Sequence, residues 1–139
     1  MAEKIVIDTS VAVKWFLDED GSEAARGLLR KYQKQEVDLL APDIIVLELT
    51  NALKWGGGFK VSEVESCINY FYELQIELER LESGLLTRAI VYLKYPKLAI
   101  YDSVFMALAE SEGMKLITAD EQHHKREYYD GVRYLGVYE

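Results

Sequence analysis

IVIDTSVAV, Ile5 to Val13, decides the fold. Ile5-Val6-Ile7 is apolar and β-branched throughout, bounded by Lys4 and Asp8. Such a run predicts a short strand, Lys4–Asp8, buried on both faces as strands of parallel sheets are. After Asp8 the pattern changes at once to that of a helix, with Thr9 or Ser10 as its cap and an end near Leu17. A buried strand that closes on an acid and turns directly into a helix puts that acid at the carboxyl edge of a sheet. Open α/β sheets bind their ligands beyond that edge.

Working outward, strands and helices alternate. Ser22 to about Lys34 is an amphipathic helix with Ala24, Ala25, Leu28, Leu29 and Tyr32 inward. Asp38–Ala41 predicts a second strand. Pro42-Asp43 starts a helix to about Trp55, apolar nearly all round and therefore expected at the centre, with Gly56-Gly57-Gly58 ending it. Val61 to about Leu74 is a further helix. Gln75–Leu81 alternates apolar and charged residues and reads either as a strand or as a continuation of that helix. Ser83 to about Tyr95 is helical until Pro96 stops it. Asp102–Glu112 is a helix with Gly113 as its C-cap residue. Lys115–Thr118 and Val132–Leu135 are the closing strands. The alternation predicts parallel crossovers and one α/β domain over residues 1–139, a three-layer α/β/α sandwich with a central parallel sheet of four to five strands.

Four acids stand out on this frame. Asp8 closes Ile5-Val6-Ile7. Glu48 interrupts Ile44-Ile45-Val46-Leu47 and Leu49. Asp102 lies between Leu98-Ala99-Ile100-Tyr101 and Val104-Phe105-Met106. Asp120 follows Leu116-Ile117-Thr118-Ala119. A buried carboxylate must be protonated, paired with a cation or bound to a metal. No obvious cation accompanies any of the four. Asp8 and Asp120 both follow strands that end on the same edge, Asp102 opens the helix feeding the later strand, and Glu48 is about one and a half turns into its own helix. The four can converge there. Oxygen donors without His or Cys select a hard cation, Mg²⁺ or Mn²⁺. Such an ion suits phosphodiester hydrolysis, because it can activate water, polarise a phosphoryl oxygen and offset charge on the leaving oxygen. Ser10 and Thr118, each two residues from an acid, are candidates to orient carboxylates.

Simpler roles compete. Asp102 and Asp120 can each be a helix N-cap, and Asp8-Thr9-Ser10 can be a turn plus cap. Ser10 can be a cap and Thr118 merely a strand former. Glu48 is mid-helix, where capping does not explain it; a neutral buried glutamate, or one that snorkels to the surface, does. His123-His124 lies in a charged segment and reads as two surface histidines. Lys14, Lys54 and Lys60 read as solvated, or as flanking the site to touch phosphate. The helices over 61–74 and 83–95 have apolar faces wide enough for a dimer surface.

The net charge of −8 argues against nucleic-acid binding through a broad basic surface, though not against a nuclease that works through bound metal. No apolar run reaches the roughly 18 residues of a membrane span. With no signal-peptide pattern, a soluble cytoplasmic protein is expected. The single cysteine, Cys67, excludes an intramolecular disulfide and is expected to be a small buried side chain.

IVIDTSVAVKWF (Ile5–Phe16), APDIIVLELTNALKW (Ala41–Trp55), AIYDSVFMALAESEGMKLITAD (Ala99–Asp120) and the closing VRYLGV (Val132–Val137) together resemble the PIN-domain nucleases, and among them the VapC-type toxins of toxin–antitoxin pairs. The resemblance covers essentially the whole chain. It implies an Mg²⁺- or Mn²⁺-dependent endoribonuclease that leaves a 5′-phosphate and a 3′-hydroxyl. It implies that the acidic quartet is Asp8, Glu48, Asp102 and Asp120, and that Ser10 and Thr118 are the supporting hydroxyls. It also implies a homodimer, and a small antitoxin whose C-terminal segment covers the acidic groove. A PIN-domain RNA-processing nuclease without a toxin role, or a silent PIN module that only binds partners, remains open. A haloacid-dehalogenase-type phosphatase is disfavoured, because Ser10 stands where that chemistry wants a second Asp. A receiver-like domain is disfavoured because it wants paired acids before its phosphorylated Asp and a Lys late in the fold, and the acids around residues 18–20 come after the first strand's helix.

Overall fold

In the computed structural model, residues 2–136 are described. The end of the expected VRYLGV strand, Val137, lies outside them. Five strands run parallel: β1 (Glu3–Ile7), β2 (Val37–Pro42), β3 (Glu77–Glu79), β4 (Leu116–Thr118) and β5 (Val132–Tyr134), in the order β3-β2-β1-β4-β5. Helices complete a three-layer α/β/α sandwich. They are α1 (Thr9–Ala12, prolonged by a 3₁₀ turn over Val13–Trp15), α2 (Ser22–Gln33), α3 (Ile45–Asn51, widening into a π-helical turn over Ala52–Gly56), α4 (Val61–Glu73), α5 (Ser83–Val91, with a 3₁₀ turn over Tyr92–Lys94) and α6 (Ile100–Glu112). No described helix is long and apolar enough to cross a membrane.

The chain lays β2 and β3 on one side of β1, then crosses to lay β4 and β5 on the other. The switch in strand order therefore falls between β1 and β4, paired through Val6–Leu116 and Ile7–Ile117. Asp8 follows β1 and Asp120 lies two residues past β4, so the switch point is flanked by acid.

Ile5, Val6 and Ile7 are fully buried, which explains their unbroken apolar run. Gln75–Leu81 resolves as a strand because Gln75 takes a left-handed φ of 57° that ends α4. Gly113, at φ 66°, terminates α6 as expected.

Two expectations change. The central helix is α6, buried continuously from Ser103 to Ala109, rather than the one over 42–55. In that segment Leu47 is 75% and Trp55 76% exposed, so its apolar surround is partly an uncovered face. Cys67 is half-buried rather than buried.

Candidate active site

Asp8, Glu48, Asp102 and Asp120 line one cleft of about 280 Å³ at the carboxyl edge, together with Thr9, Ser10, Asn51, Phe105 and His124. Four acids far apart in sequence are thus brought together by β1, α3, α6 and the segment after β4.

Asp8 is 2% exposed and its carboxylate is fully engaged. Oδ1 accepts from the Ser10 hydroxyl at 2.5 Å and from the Val11 amide at 3.3 Å. The second bond makes Asp8 itself the N-cap of α1, in place of Thr9 or Ser10. Oδ2 accepts from the Thr118 hydroxyl and from His124 Nδ1 at 2.6 Å. Ser10 and Thr118 also serve as acceptors, from the Ala119 amide at 2.9 Å and the Asp120 amide at 2.9 Å respectively. The two hydroxyls therefore tie the end of β1 to the end of β4 through Asp8. Thr118 is more than a strand former.

The expectation of two surface histidines fails at His124, which is 2% exposed. The Asp120 carbonyl accepts from the His124 amide at 3.2 Å, so the chain makes one helical turn after Asp120 and swings His124 inward. Its Nδ1 faces Asp8, and its Nε2 lies 3.1 Å from the Asp102 carbonyl oxygen. With an acceptor at each nitrogen the ring donates twice and is an imidazolium. Burial favours the neutral ring. The hydrogen bond to Asp8 and the charges of Asp8 and Asp102 outweigh burial, and the pKa is pushed up to about 9. The chain thus carries a cation beside its most buried acid, contrary to the reading that none accompanies the four. Asp120 is paired with the other histidine. His123 Nδ1 lies 2.9 Å from Oδ2, and Oδ1 accepts the Gln122 and His123 amides at 3.1 Å each. Burial pulls this carboxyl up, but the hydrogen bonds to His123 prevail and its pKa is lowered. Asp120 is a cap as well as a wall of the cleft.

Glu48 and Asp102 are different. Neither has a Lys or Arg partner among the described residues. Glu48 accepts one bond, from the Thr9 hydroxyl at 2.5 Å. Burial raises its pKa, opposed by Thr9, with further raising by Asp102 and Asp8. Asp102 is not a cap, since α6 begins with Ala99 as N-cap. Burial raises its pKa too, against the opposing charges of His124 and His123. The nearest cation, His124 Nε2, is 3.9 Å from Oδ1. The alternative that Lys14, Lys54 and Lys60 flank the site finds no support in the wall of the cleft. Lys14 is bonded to Glu19 at 2.9 Å, Lys54 lies 5.0 Å from the Trp55 ring centroid, and neither they nor Lys60 line it.

The oxygen donors that line the cleft are its carboxylates and the hydroxyls of Thr9 and Ser10, each of which already donates to a carboxylate. The nitrogens of His124 are both occupied. Among the described residues no three His, Cys, Asp or Glu groups already stand as a metal cage. By donor type and uncompensated charge the cleft still fits a hard divalent cation, with Glu48 and Asp102 as its available ligands.

The PIN domain family model matches residues 5–127. No curated protein matches at the level of sequence. Three similar solved structures share the fold. One is a chain of a toxin–antitoxin complex from Klebsiella pneumoniae (TM-score 0.70, 15% identity, 94% of this chain and 97% of that chain). Another is the Sarcin-Ricin loop cleaving toxin VapC20 of Mycobacterium tuberculosis (0.67, 12%, 91% and 93%). The third is FitAcB from Neisseria gonorrhoeae (0.65, 15%, 96% and 99%).

Proposed function

We propose, because this chain belongs to the PIN-domain family, that its acidic cleft is the centre of a metal-dependent endoribonuclease acting as the toxin of a toxin–antitoxin pair. The observation that carries the reading is the convergence of Asp8, Glu48, Asp102 and Asp120 on one cleft at the topological switch point. Within it, two half-buried acids have no Lys or Arg partner among the described residues.

Glu48 and Asp102 would hold Mg²⁺ or Mn²⁺ directly, with Asp8 and Asp120 completing the acidic set. When bound, the ion supplies Lewis acidity toward a phosphoryl oxygen and stabilises developing negative charge. The chain's own residues set the geometry. Ser10 and Thr118 fix the plane of the Asp8 carboxylate, and Thr9 orients Glu48. His123 anchors Asp120. Negative cleft walls repel an RNA backbone until the cation offsets them, so substrate binding and metal binding are coupled.

Two partners follow from this reading. An antitoxin segment would cover the cleft, aided by the exposed Leu47 beside Glu48. A second copy would cover the exposed Leu86, Ile90 and Leu93. The test is cleavage of RNA by purified protein free of antitoxin, with Mn²⁺ or Mg²⁺ against a chelator. Cleavage that requires metal and vanishes in Asp8→Asn and Asp102→Asn supports the reading. Folded protein that cleaves no RNA with either ion overturns it. A short upstream reading frame encoding a DNA-binding protein separates a toxin from an RNA-processing nuclease.

A further inference from the structure

A second cavity, of about 400 Å³, shares no lining residue with the acidic cleft. It lies between the end of α5, the later half of α6 and the segment after β4. Its walls combine an aromatic pair with two cations. The rings of Tyr95 and Tyr128 are 4.5 Å apart and tilted by 41°. Arg88 and Lys94 enter from α5 and its 3₁₀ extension, and no described carboxylate pairs with either. Lys94 Nζ lies 5.3 Å from the Tyr95 ring centroid. Opposite them, Glu110 accepts a hydrogen bond at 2.6 Å from the buried Tyr92 hydroxyl, and the Ser111 hydroxyl donates to the Leu108 carbonyl at 3.0 Å. Two cations against one hydrogen-bonded carboxylate leave this cavity net positive, on a chain whose overall charge is −8.

We infer that this cavity is a nucleotide-binding site, with Tyr95 and Tyr128 taking the base and Arg88 and Lys94 the phosphate. Aromatic faces accept any base by stacking, and unpaired cations beside them hold the backbone charge. The cavity has the size of a small-ligand pocket. The Glu110 carboxylate, and the Ser111 oxygen as an acceptor, supply polar contacts for base edges. Its position gives the site a consequence. Tyr95 stands seven residues before Asp102, and Tyr128 eight residues after Asp120. One ring thus lies in the segment that leads into α6, which carries Asp102, and the other in the segment that follows Asp120. The nucleotide is either one unit of an RNA strand or a free mononucleotide. The site itself is independent of the nuclease reading; only the strand as source rests on it.

The experiment is an amide-resolved NMR titration of the whole protein in chelator, so that no metal-dependent step contributes. Adenosine 5′-monophosphate, adenosine and inorganic phosphate are separate arms. The mononucleotide is expected to shift Tyr95, Ser111 and Tyr128, and to bind more tightly than either fragment. Arg88→Glu and Lys94→Glu, at exposed positions that spare the core, are each expected to weaken it at least tenfold (about 1.4 kcal/mol). Shifts confined to the acidic cleft overturn the site, as does phosphate alone binding as tightly as the nucleotide. Unchanged affinity in both charge-reversal variants also overturns it. A single-stranded RNA oligomer titrated into Asp102→Asn distinguishes the sources. Affinity at least tenfold above the mononucleotide, lost in Arg88→Glu, identifies a strand; equal affinity identifies a free nucleotide. Nucleotide binding in chelator alongside absent RNA cleavage would sink the nuclease and leave this site standing.

Discussion

His124 Nδ1 and Asp8 Oδ2 lie 2.6 Å apart, with both side chains almost entirely withdrawn from solvent. The pair connects the end of β1 to the segment after β4, and Asp102's backbone carbonyl holds the far side of the ring. In the metal-free protein this histidine is the counter-charge that permits Asp8 to be buried.

Removing one partner of such a pair leaves the other charge uncompensated, which costs about 3–5 kcal/mol. His124→Leu should therefore lower the metal-free stability by about that amount in urea denaturation. Asp8→Asn with His124→Leu should be less damaging than the two single changes added together. Strict additivity in that double-mutant cycle would refute the coupling.

The same pair makes stability pH-dependent. The folded pKa of His124 is raised to about 9 from 6.5, so the protonated ring favours the fold. That contribution is fully present below about pH 6.5 and is lost as pH rises through about 9. The charged groups facing the ring are Asp8, from the end of β1, and Asp102, from α6. The metal-free protein should lose on the order of 3 kcal/mol between pH 6 and 10 from this group. A His124→Gln variant should show a flatter profile. Equal slopes in the two proteins would rule the assignment out.

The sheet and the acids were legible because a short apolar run that ends on an acid has few other meanings. Ile5–Asp8 and Leu116–Asp120 carried both the strands and the edge on which they end. His124 was not legible in Gln122-His123-His124-Lys125, since its neighbours are solvated. A signal was present nonetheless: it stands four residues past Asp120, one helical turn, in a chain whose buried acids lacked a cation. The helix over 42–55 misled for a different reason. Apolar residues all round a helix mean burial only if something covers every side, and Leu47 and Trp55 are left bare. The cavity at Tyr95 and Tyr128 joins residues 33 apart across α6, a proximity that no local pattern announces.

Thr118 is fully buried, donates to Asp8 and accepts from the Asp120 amide. Thr118→Val keeps the shape and removes both bonds, which should cost about 1–3 kcal/mol. Thr118→Ser keeps the hydroxyl and should recover most of that loss. Chemical denaturation of the three proteins at one pH is sufficient. Similar losses for Val and Ser would assign the residue to packing alone.

Glu48 and Asp102 should show the opposite relation between stability and activity. Their folded pKa values are raised, chiefly by burial, so their ionisation favours the unfolded chain. That penalty is absent where both folded and unfolded carboxyls are protonated and is in full force at neutral pH. Glu48→Gln and Asp102→Asn should therefore stabilise the metal-free protein at pH 7 by about 0.5–1 kcal/mol. The gain should shrink as pH falls toward 4. The same substitutions should reduce RNA cleavage by at least about a hundredfold, a loss expected when charge stabilisation of the transition state is removed. Mn²⁺ should raise the melting temperature of the parent, because a ligand that binds only the folded state stabilises it. The rise should be smaller in both variants. Thermal denaturation with and without Mn²⁺ checks the argument. Variants that are less stable without metal, or that gain as much from Mn²⁺ as the parent, would place the cation elsewhere.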